Sequence, residues 1–346
     1  MPSTNSSAAP EISIIIPARN EELSLGTCLE SLLAQTGVIF EIIVVDDHST
    51  DRTPEIAISF SNRGVRVIDA DPLPPGWTGK NNALVTGTKQ AQGGWLLFTD
   101  ADTIHLPGSL KHALEEAKQH NADLLSYSPE QIAVTFWEKA ILPVIFAELA
   151  RQYAPAKVSD PESPIAAANG QYILITREAY NAVGGHAAIA GQILEDVALA
   201  RAVKSSGRKI FFRYAAGAVR TRMYRNYAQL REGWTKNLAL LFPNPGWLAV
   251  RTLSLWTLPW ALLLLIPVVR HWWWGVLAAV AFSCNTERLR RANFHLTMEL
   301  LGALFGMPMF AYLLLRSKSF HRHGKIEWKG RTYLGSMSNQ SASVHS

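Results

Sequence analysis

Four short segments of this 346-residue chain bring together side chains able to do chemistry. Asp100 and Asp102 lie two residues apart in FTDAD (98–102). In an extended chain both carboxylates would point to one side, with Cα atoms ~6.6 Å apart. Such a pair suits one hard cation, Mg2+ or Mn2+, whose other ligands are water and phosphate oxygens; it also reads as a solvated turn after a strand. Lys80 follows Gly76 and Gly79 in GWTGKNN (76–82). At a helix start its ammonium and the free N–H groups would meet a phosphate, although an exposed turn lysine fits the same pattern. Asp46 and Asp47 either cap the helix after them or hold the polar edge of a nucleoside. Glu195 and Asp196 open an apolar helical pattern, where acids ordinarily face the helix dipole. Coming after Gly184, Gly185 and Gly191, they could instead set a general base over a cleft.

The elements around these segments alternate. Glu11–Pro17 (EISIIIP) is β-branched and precedes a helical pattern through Leu23, Leu25, Leu29, Leu32 and Leu33. Phe40–Val45 runs into Asp46, with Ser49, Thr50 and Asp51 offering a cap before Pro54. Val65–Ala70 and Trp95–Thr99 repeat the strand pattern. Strands alternating with helices predict an α/β fold with a mostly parallel sheet covered by helices on both faces. The ligand crevice of such a sheet lies outside the carboxyl ends of its strands, where these polar clusters fall. His186 reads as a loop residue, since no second His or acid stands at metal spacing from it.

Composition changes near Pro243. No charged residue occurs from Thr252 to Val269, and none again after Arg270 until Glu287. Leu253–Val269 and Leu296–Leu315 approach the ~20 apolar residues a spanning helix needs, while His271–Cys284 falls near the shorter range of re-entrant or buried segments. Six of the 11 Trp (247, 256, 260, 272, 273, 274) crowd the first of these stretches, as in an interfacial belt. Arg288, Arg290 and Arg291, and then Arg316, Lys318, Arg322, Lys325, Lys329 and Arg331, favour the cytoplasmic side. The expected organisation is a lead at 1–10 without a signal-peptide pattern, and a cytoplasmic catalytic domain at 11–243. A membrane region at 248–316 would come next, with two crossings and one re-entrant or interfacial segment, and then a basic cytoplasmic tail at 317–346. The expected location is the inner cell membrane. Trp137–Leu149, interrupted by Pro143, is either a core helix or an interfacial one. Two distant cysteines exclude a disulfide framework, and a formal charge of +5 is too small to indicate nucleic acid.

In order along the chain, PARNE (17–21), VVDDHSTD (44–51), GWTGKNNAL (76–84), FTDAD (98–102) and EDVALA (195–200) resemble the family 2 glycosyltransferases of GT-A fold. GWTGK and the tail EWKGR (327–331) are most similar to its membrane-bound branch acting on lipid acceptors, such as hopanoid-associated and carotenoid glycosyltransferases. The resemblance implies a nucleotide-diphosphate sugar donor, a UDP-sugar, and a membrane lipid or isoprenoid acceptor. It implies that Pro17, Arg19, Asn20, Glu21 and Asp47 line the nucleoside pocket, that Lys80 and Asp100 lie near the donor, that Asp102 with Asp100 holds the metal, and that Asp196 is the base. Processive members carry QxxRW. Here QLREGW (229–234) has one residue too many and Gly where Arg should stand, which argues against a processive synthase and leaves Trp234 and Arg231, with Glu195, as acceptor-side candidates.

Those roles imply a single in-line displacement that inverts the anomeric centre. The cation and Lys80 would take up charge on the leaving diphosphate while Asp196 takes the acceptor proton. Two other readings compete: DADT (100–103) as the nucleophile motif of a haloacid-dehalogenase-like phosphatase, and an inactive membrane scaffold that keeps the fold.

Overall fold

The computed structural model describes residues 9–269, 271–323, 326–328 and 331–333. Residues 1–8, Lys325, Lys329 and 334–346, parts of the expected lead and tail, lie outside them. The chain divides into two compact units, Met1–Ile132 with Pro155–Arg222, and Ala133–Ala154 with Met223–Ser346.

The first unit begins β1 (Ile12–Ala18), α1 (Leu25–Leu33), β2 (Phe40–Asp46), α2 (Thr53–Ser59), β3 (Val65–Asp69), α3 (Gly79–Gln90), β4 (Trp95–Phe98). It continues with β5 (Thr103–His105), α4 (Ser109–Gln119), β6 (Leu124–Ser128) and β7 (Glu130–Gln131). After α5 (Phe136–Gln152), which belongs to the second unit, come α6 (Pro155–Ser159), β8 (Ile173–Thr176), α7 (Arg177–Ala182), α8 (Gly185–Ala188), α9 (Glu195–Ser205), β9 (Ile210–Tyr214) and β10 (Val219–Thr221).

The main sheet runs β3-β2-β1-β4-β8-β6-β9. Strands β3, β2, β1 and β4 are parallel, β8 is antiparallel to both its neighbours, and β6 and β9 pair in parallel. β1 explains itself: five successive buried residues, Ile12 to Ile16, suit a strand covered on both faces. Ile12, Ile14 and Ile16 join Leu25, Leu29 and Leu32 of α1 in the core, each such side chain stabilising by about 1.5–3 kcal/mol. Ile15 points the other way, toward α3, where a Cβ on Gly87 would lie 2.6 Å from it and 2.9 Å from Val45. Only glycine lets α3 approach this closely, which sets the helix's N-terminal end against the sheet edge. From β1 the chain passes to β2 on one side and later returns to β4 on the other, so the carboxyl ends of β1, β2 and β4 flank a topological switch point. A smaller sheet, β5-β10-β7, borders it.

The second unit adds to α5 the helices α10 (Tyr227–Leu241), α11 (Pro245–Val269), α12 (Trp273–Leu289), α13 (Leu296–Leu301) and α14 (Met307–Arg322), the last two joined by a π-helical turn at Gly302–Gly306. The contact division therefore does not coincide with the compositional step near Pro243. α5, whose Ile141 and Ile145 are fully buried, packs with α10 and α14 in one apolar cluster, so burial assigns it where composition could not. A Cβ at Gly306 would stand 2.0 Å from the Ala140 carbonyl oxygen, so α5 and the π turn touch backbone to backbone. Pro245–Val268 and Leu296–Arg322 are long and apolar enough to cross a membrane, and the second is far more covered by protein than the first. α12, spanning the ambiguous third stretch, is a regular helix of 17 residues.

Two local expectations change. Leu23 lies in the turn before α1, 66% exposed, and takes no part in the helix's apolar face. His186 is no loop residue: it sits in α8, 1% exposed, its Nδ1 3.0 Å from the Tyr180 hydroxyl, which also accepts from its backbone N–H, and its ring stands edge-on to Phe98. Burial of the imidazole pushes its pKa down to about 4, so it is a neutral packing residue behind the site.

Candidate functional site

All the acids and the lysine singled out above lie in the first unit. At the ends of β1 and β2 two loops are tied to each other. The Arg19 guanidinium donates to the Asp47 and His48 carbonyls. The Asn20 amide donates to Ser49 Oγ at 3.0 Å, the Thr50 amide to Asn20 Oδ1 at 2.8 Å, and the Glu21 amide to Thr53 Oγ1 at 2.7 Å. Asn20 and His48 both take positive φ, 52° and 53°, which turns the two chains sharply out of the sheet. Asp51, one of the expected caps, accepts from the Thr53 amide with Oδ1. Asp46 and Asp47 are each 4% exposed, and Asp46 uses Oδ2 to accept the Ser49 amide while its buried Oδ1 has no hydrogen-bond partner. Pro17 is the penultimate residue of β1, paired with Val45.

Lys80 is the second residue of α3, whose N-cap Thr78 accepts from the Asn81 amide at 3.2 Å. Its ammonium stands 2.7 Å from Asp100 Oδ1 and 2.6 Å from Glu195 Oε1. Burial works against the lysine's charge, but these two carboxylates override it, and Lys80 titrates above its ordinary value. Burial raises Asp100 in turn, against the pull of Lys80. Asp102 comes next in a turn closed by the Thr103 amide on the Asp100 carbonyl at 3.2 Å, and the Thr221 hydroxyl donates to the Asp102 carbonyl. The two acids therefore do not sit on an extended strand: β4 ends at Phe98, and the chain turns at once to enter β5.

Asp196 accepts from two amides, Gly170 at 3.0 Å to Oδ2 and Val197 at 2.8 Å to Oδ1. Burial, with the neighbouring Glu195 carboxylate second, pushes its pKa up to about 7, while Lys80 and the two amides pull the other way. A carboxylate with this poise is an efficient proton acceptor near neutrality.

Asn81 is a site residue that sequence reasoning missed, and Gly170, whose segment 169–171 before β8 read from sequence only as shaping the acceptor side, sits instead against the ion pair. β8 is antiparallel to β4, with Ile173 opposite Phe98, so the residues leading into β8 arrive beside the end of β4. There a Cβ on Gly170 would lie 3.1 Å from both Glu195 Oε1 and Lys80 Nζ. Gly170→Ala is accordingly expected to leave the fold intact but cut turnover about tenfold by displacing that ion pair; circular dichroism beside a kinetic assay checks it. Asn81, fully buried, donates its Nδ2 to the carbonyls of Ile189, Ala190 and Gln192, fixing the loop that leads to Glu195 onto the start of α3. The Asn-Asn pair at a helix start was the available signal.

The donor set fits a hard divalent cation: Asp100 and Asp102 offer only carboxylate oxygens at one turn. Among the described residues no group of three or more His, Cys, Asp or Glu could hold a metal, so the remaining ligands would be water and phosphate. Arg231 and Trp234 lie in the second unit, on α10, with Trp234 buried against Phe146 and Tyr224.

Comparison with known proteins bears on the family and the fold. Two 4,4'-diaponeurosporenoate glycosyltransferases of Staphylococcus aureus, from strains MRSA252 and USA300, are each 30% identical over 93% of this chain and 88% of theirs. The structure of a mannosyltransferase from Pyrobaculum calidifontis, in complex with GDP-Man and Mn2+, has a similar fold with a TM-score of 0.53 at 16% identity, over 91% of this chain and 87% of that one. The family profile described as Glycosyl transferase family 2 matches residues 13–183, from β1 through Asp100, Asp102 and Gly170. Asp100 is thus the partner of Lys80 in a glycosyltransferase rather than a phosphatase nucleophile, and the chain belongs to glycosyl transferase family 2.

Proposed function

We propose that this glycosyltransferase moves a hexose from a nucleotide-diphosphate sugar to an isoprenoid acceptor at a membrane, with inversion at the anomeric carbon. The observation that carries the reading is the convergence of Lys80, Asp100, Glu195 and Asp196 around the Gly170 backbone. The tied loops at Pro17, Arg19, Asn20, Glu21 and Asp47 take the nucleoside, and the unpaired Oδ1 of Asp46 offers an acceptor to one of its N–H or O–H groups. Asp102 and Asp100 would hold a divalent cation, which when bound neutralises charge on the diphosphate. Lys80, reaching from the start of α3, leans from Asp100 toward the leaving phosphate. Asp196 takes the proton of an acceptor hydroxyl as its oxygen attacks the anomeric carbon, whereas an acceptor carboxylate, already ionised near neutrality, attacks without that transfer; in either case the nucleoside diphosphate departs on the opposite face.

The acceptor class is supported by the relatives' name, which specifies a carotenoid carboxylate, and the membrane location by the two long apolar helices. Membranes containing the protein, incubated with radiolabelled nucleotide sugars and an isoprenoid acid, are expected to place label in the organic phase. Label confined to an aqueous polymer, or to free sugar, overturns the proposal.

A further inference from the structure

The second unit contains a groove of about 590 Å³, bordered by α5, α10, α11, the π turn and α14. Its aromatic lining is Trp137, Tyr227, Trp256, Trp260, Phe305 and Tyr312. Two polar handles there are already committed inside the protein: Trp256 Nε1 donates to the Leu304 carbonyl at 2.9 Å, and the Tyr227 hydroxyl donates to Met309 Sδ at 3.6 Å. At these two residues the wall therefore offers ring faces, not hydrogen bonds, to whatever enters. The volume falls within the ~300–1,000 Å³ of small-molecule sites.

A charged group lies next to one of these rings, one turn further along α10. The Arg231 guanidinium lies 5.9 Å from the centre of the Tyr227 ring, makes no ion pair among the described residues, and has a buried Nε with no hydrogen-bond partner. A buried donor without an acceptor costs free energy until an acceptor arrives, and a guanidinium favours a carboxylate. Trp256 and Trp260 belong to α11, one of the helices able to cross a membrane, so the opening is suited to entry from the bilayer. An apolar trough with a lone cation matches a long apolar molecule that ends in one acid.

We propose that this groove binds the apolar body of a carboxylated isoprenoid, with Arg231 pairing its carboxylate; the inference rests on the isoprenoid-acceptor reading above. The alternative occupant, a bilayer acyl chain, would need no charge at Arg231.

The test uses the full chain in phosphatidylcholine nanodiscs and measures saturable binding of radiolabelled retinoic acid, a branched polyene acid, with empty nanodiscs as background. Retinol lacks the acid and palmitic acid lacks the branched polyene. Wild type is expected to bind retinoic acid at least tenfold more tightly than either. Leu304→Trp, which fills the groove, should weaken it tenfold or more. Arg231→Met should weaken retinoic acid about tenfold and leave retinol within twofold, while Arg231→Lys keeps most of the affinity. Equal binding of palmitic acid, or a loss of retinol affinity in Arg231→Met equal to the loss for retinoic acid, overturns the inference. Sugar transfer separates it from the reading it rests on. Transfer to an isoprenoid acid with unchanged KM in Leu304→Trp overturns the groove and leaves the function standing. Saturable, Arg231-dependent binding without any transfer upholds the groove and overturns the acceptor assignment.

Discussion

With a hydroxyl acceptor, Asp196→Asn is expected to lower kcat by about 10²–10⁴-fold while leaving nucleotide-sugar affinity unchanged, because the amide keeps the shape of the side chain but cannot accept the acceptor's proton. The pH profile gives a sharper signature. With the Asp196 carboxyl near 7, the base is protonated and idle below that pH. Turnover should rise with pH through a limb close to neutrality and level off above it. Glu195→Gln removes the like charge beside Asp196, so the limb should move to lower pH; in Asp196→Asn the limb should vanish from the residual rate. Initial rates of wild type and both variants between pH 5 and 9, with donor affinity measured by calorimetry, check this. Undiminished transfer by Asp196→Asn would show that the base lies elsewhere.

Lys80→Met has the second largest expected effect. It removes the ammonium that bridges Asp100 and Glu195, 2.7 Å from the first and 2.6 Å from the second. It also removes positive charge from the place where the diphosphate leaves. Loss of one such electrostatic contact is typically about 10²–10³-fold in kcat. Because Lys80 holds the Asp196 pKa down, its removal should also move the acid limb of the pH profile upward, opposite to Glu195→Gln. The double variant then separates two roles: it should return the limb toward its original position but not restore the rate. Restoration of the rate by Glu195→Gln would mean that Lys80 only neutralises Glu195.

The strands that carry the site were legible because each is a short apolar run, β-branched in β1 and β2, that gives way to polar residues: Ile12–Ile16, Ile42–Val45 and Leu96–Phe98 all lie at 0–2% exposure. Asp100, Asp102, Lys80, Glu195 and Asp196 could be named from residue type and placement at strand and helix ends. Their mutual geometry could not. Lys80 meets Glu195 only because Asn81 fastens the loop 189–192 to the start of α3, and no local pattern reports a contact across that much chain. Gly170 joins the site because β8 runs antiparallel to β4, against the parallel rule that the earlier βα units obey. The extended geometry expected for Asp100 and Asp102 gave way to a turn, since β4 must reverse at once into β5.

The place of α5 sets an order of events during synthesis. Residues 133–154 leave the ribosome between β7 and α6, in the middle of the catalytic unit, yet their apolar face is covered by α14 and the π turn, the last helical segments made. Until Gly302 and Gly306 emerge to seat against the Ala140 carbonyl, Ile141, Val144 and Ile145 have only the earlier-made helices of their cluster, α10 among them, to pack against. A nascent chain halted at residue 243 would carry an apolar helix covered only in part, by α10, within its first unit's sequence, a state open to aggregation. Removing the apolar C-terminal region is therefore expected to leave an insoluble product rather than a freestanding enzyme, because residues 133–154, inserted in the sequence of the first unit, form one wall of the second.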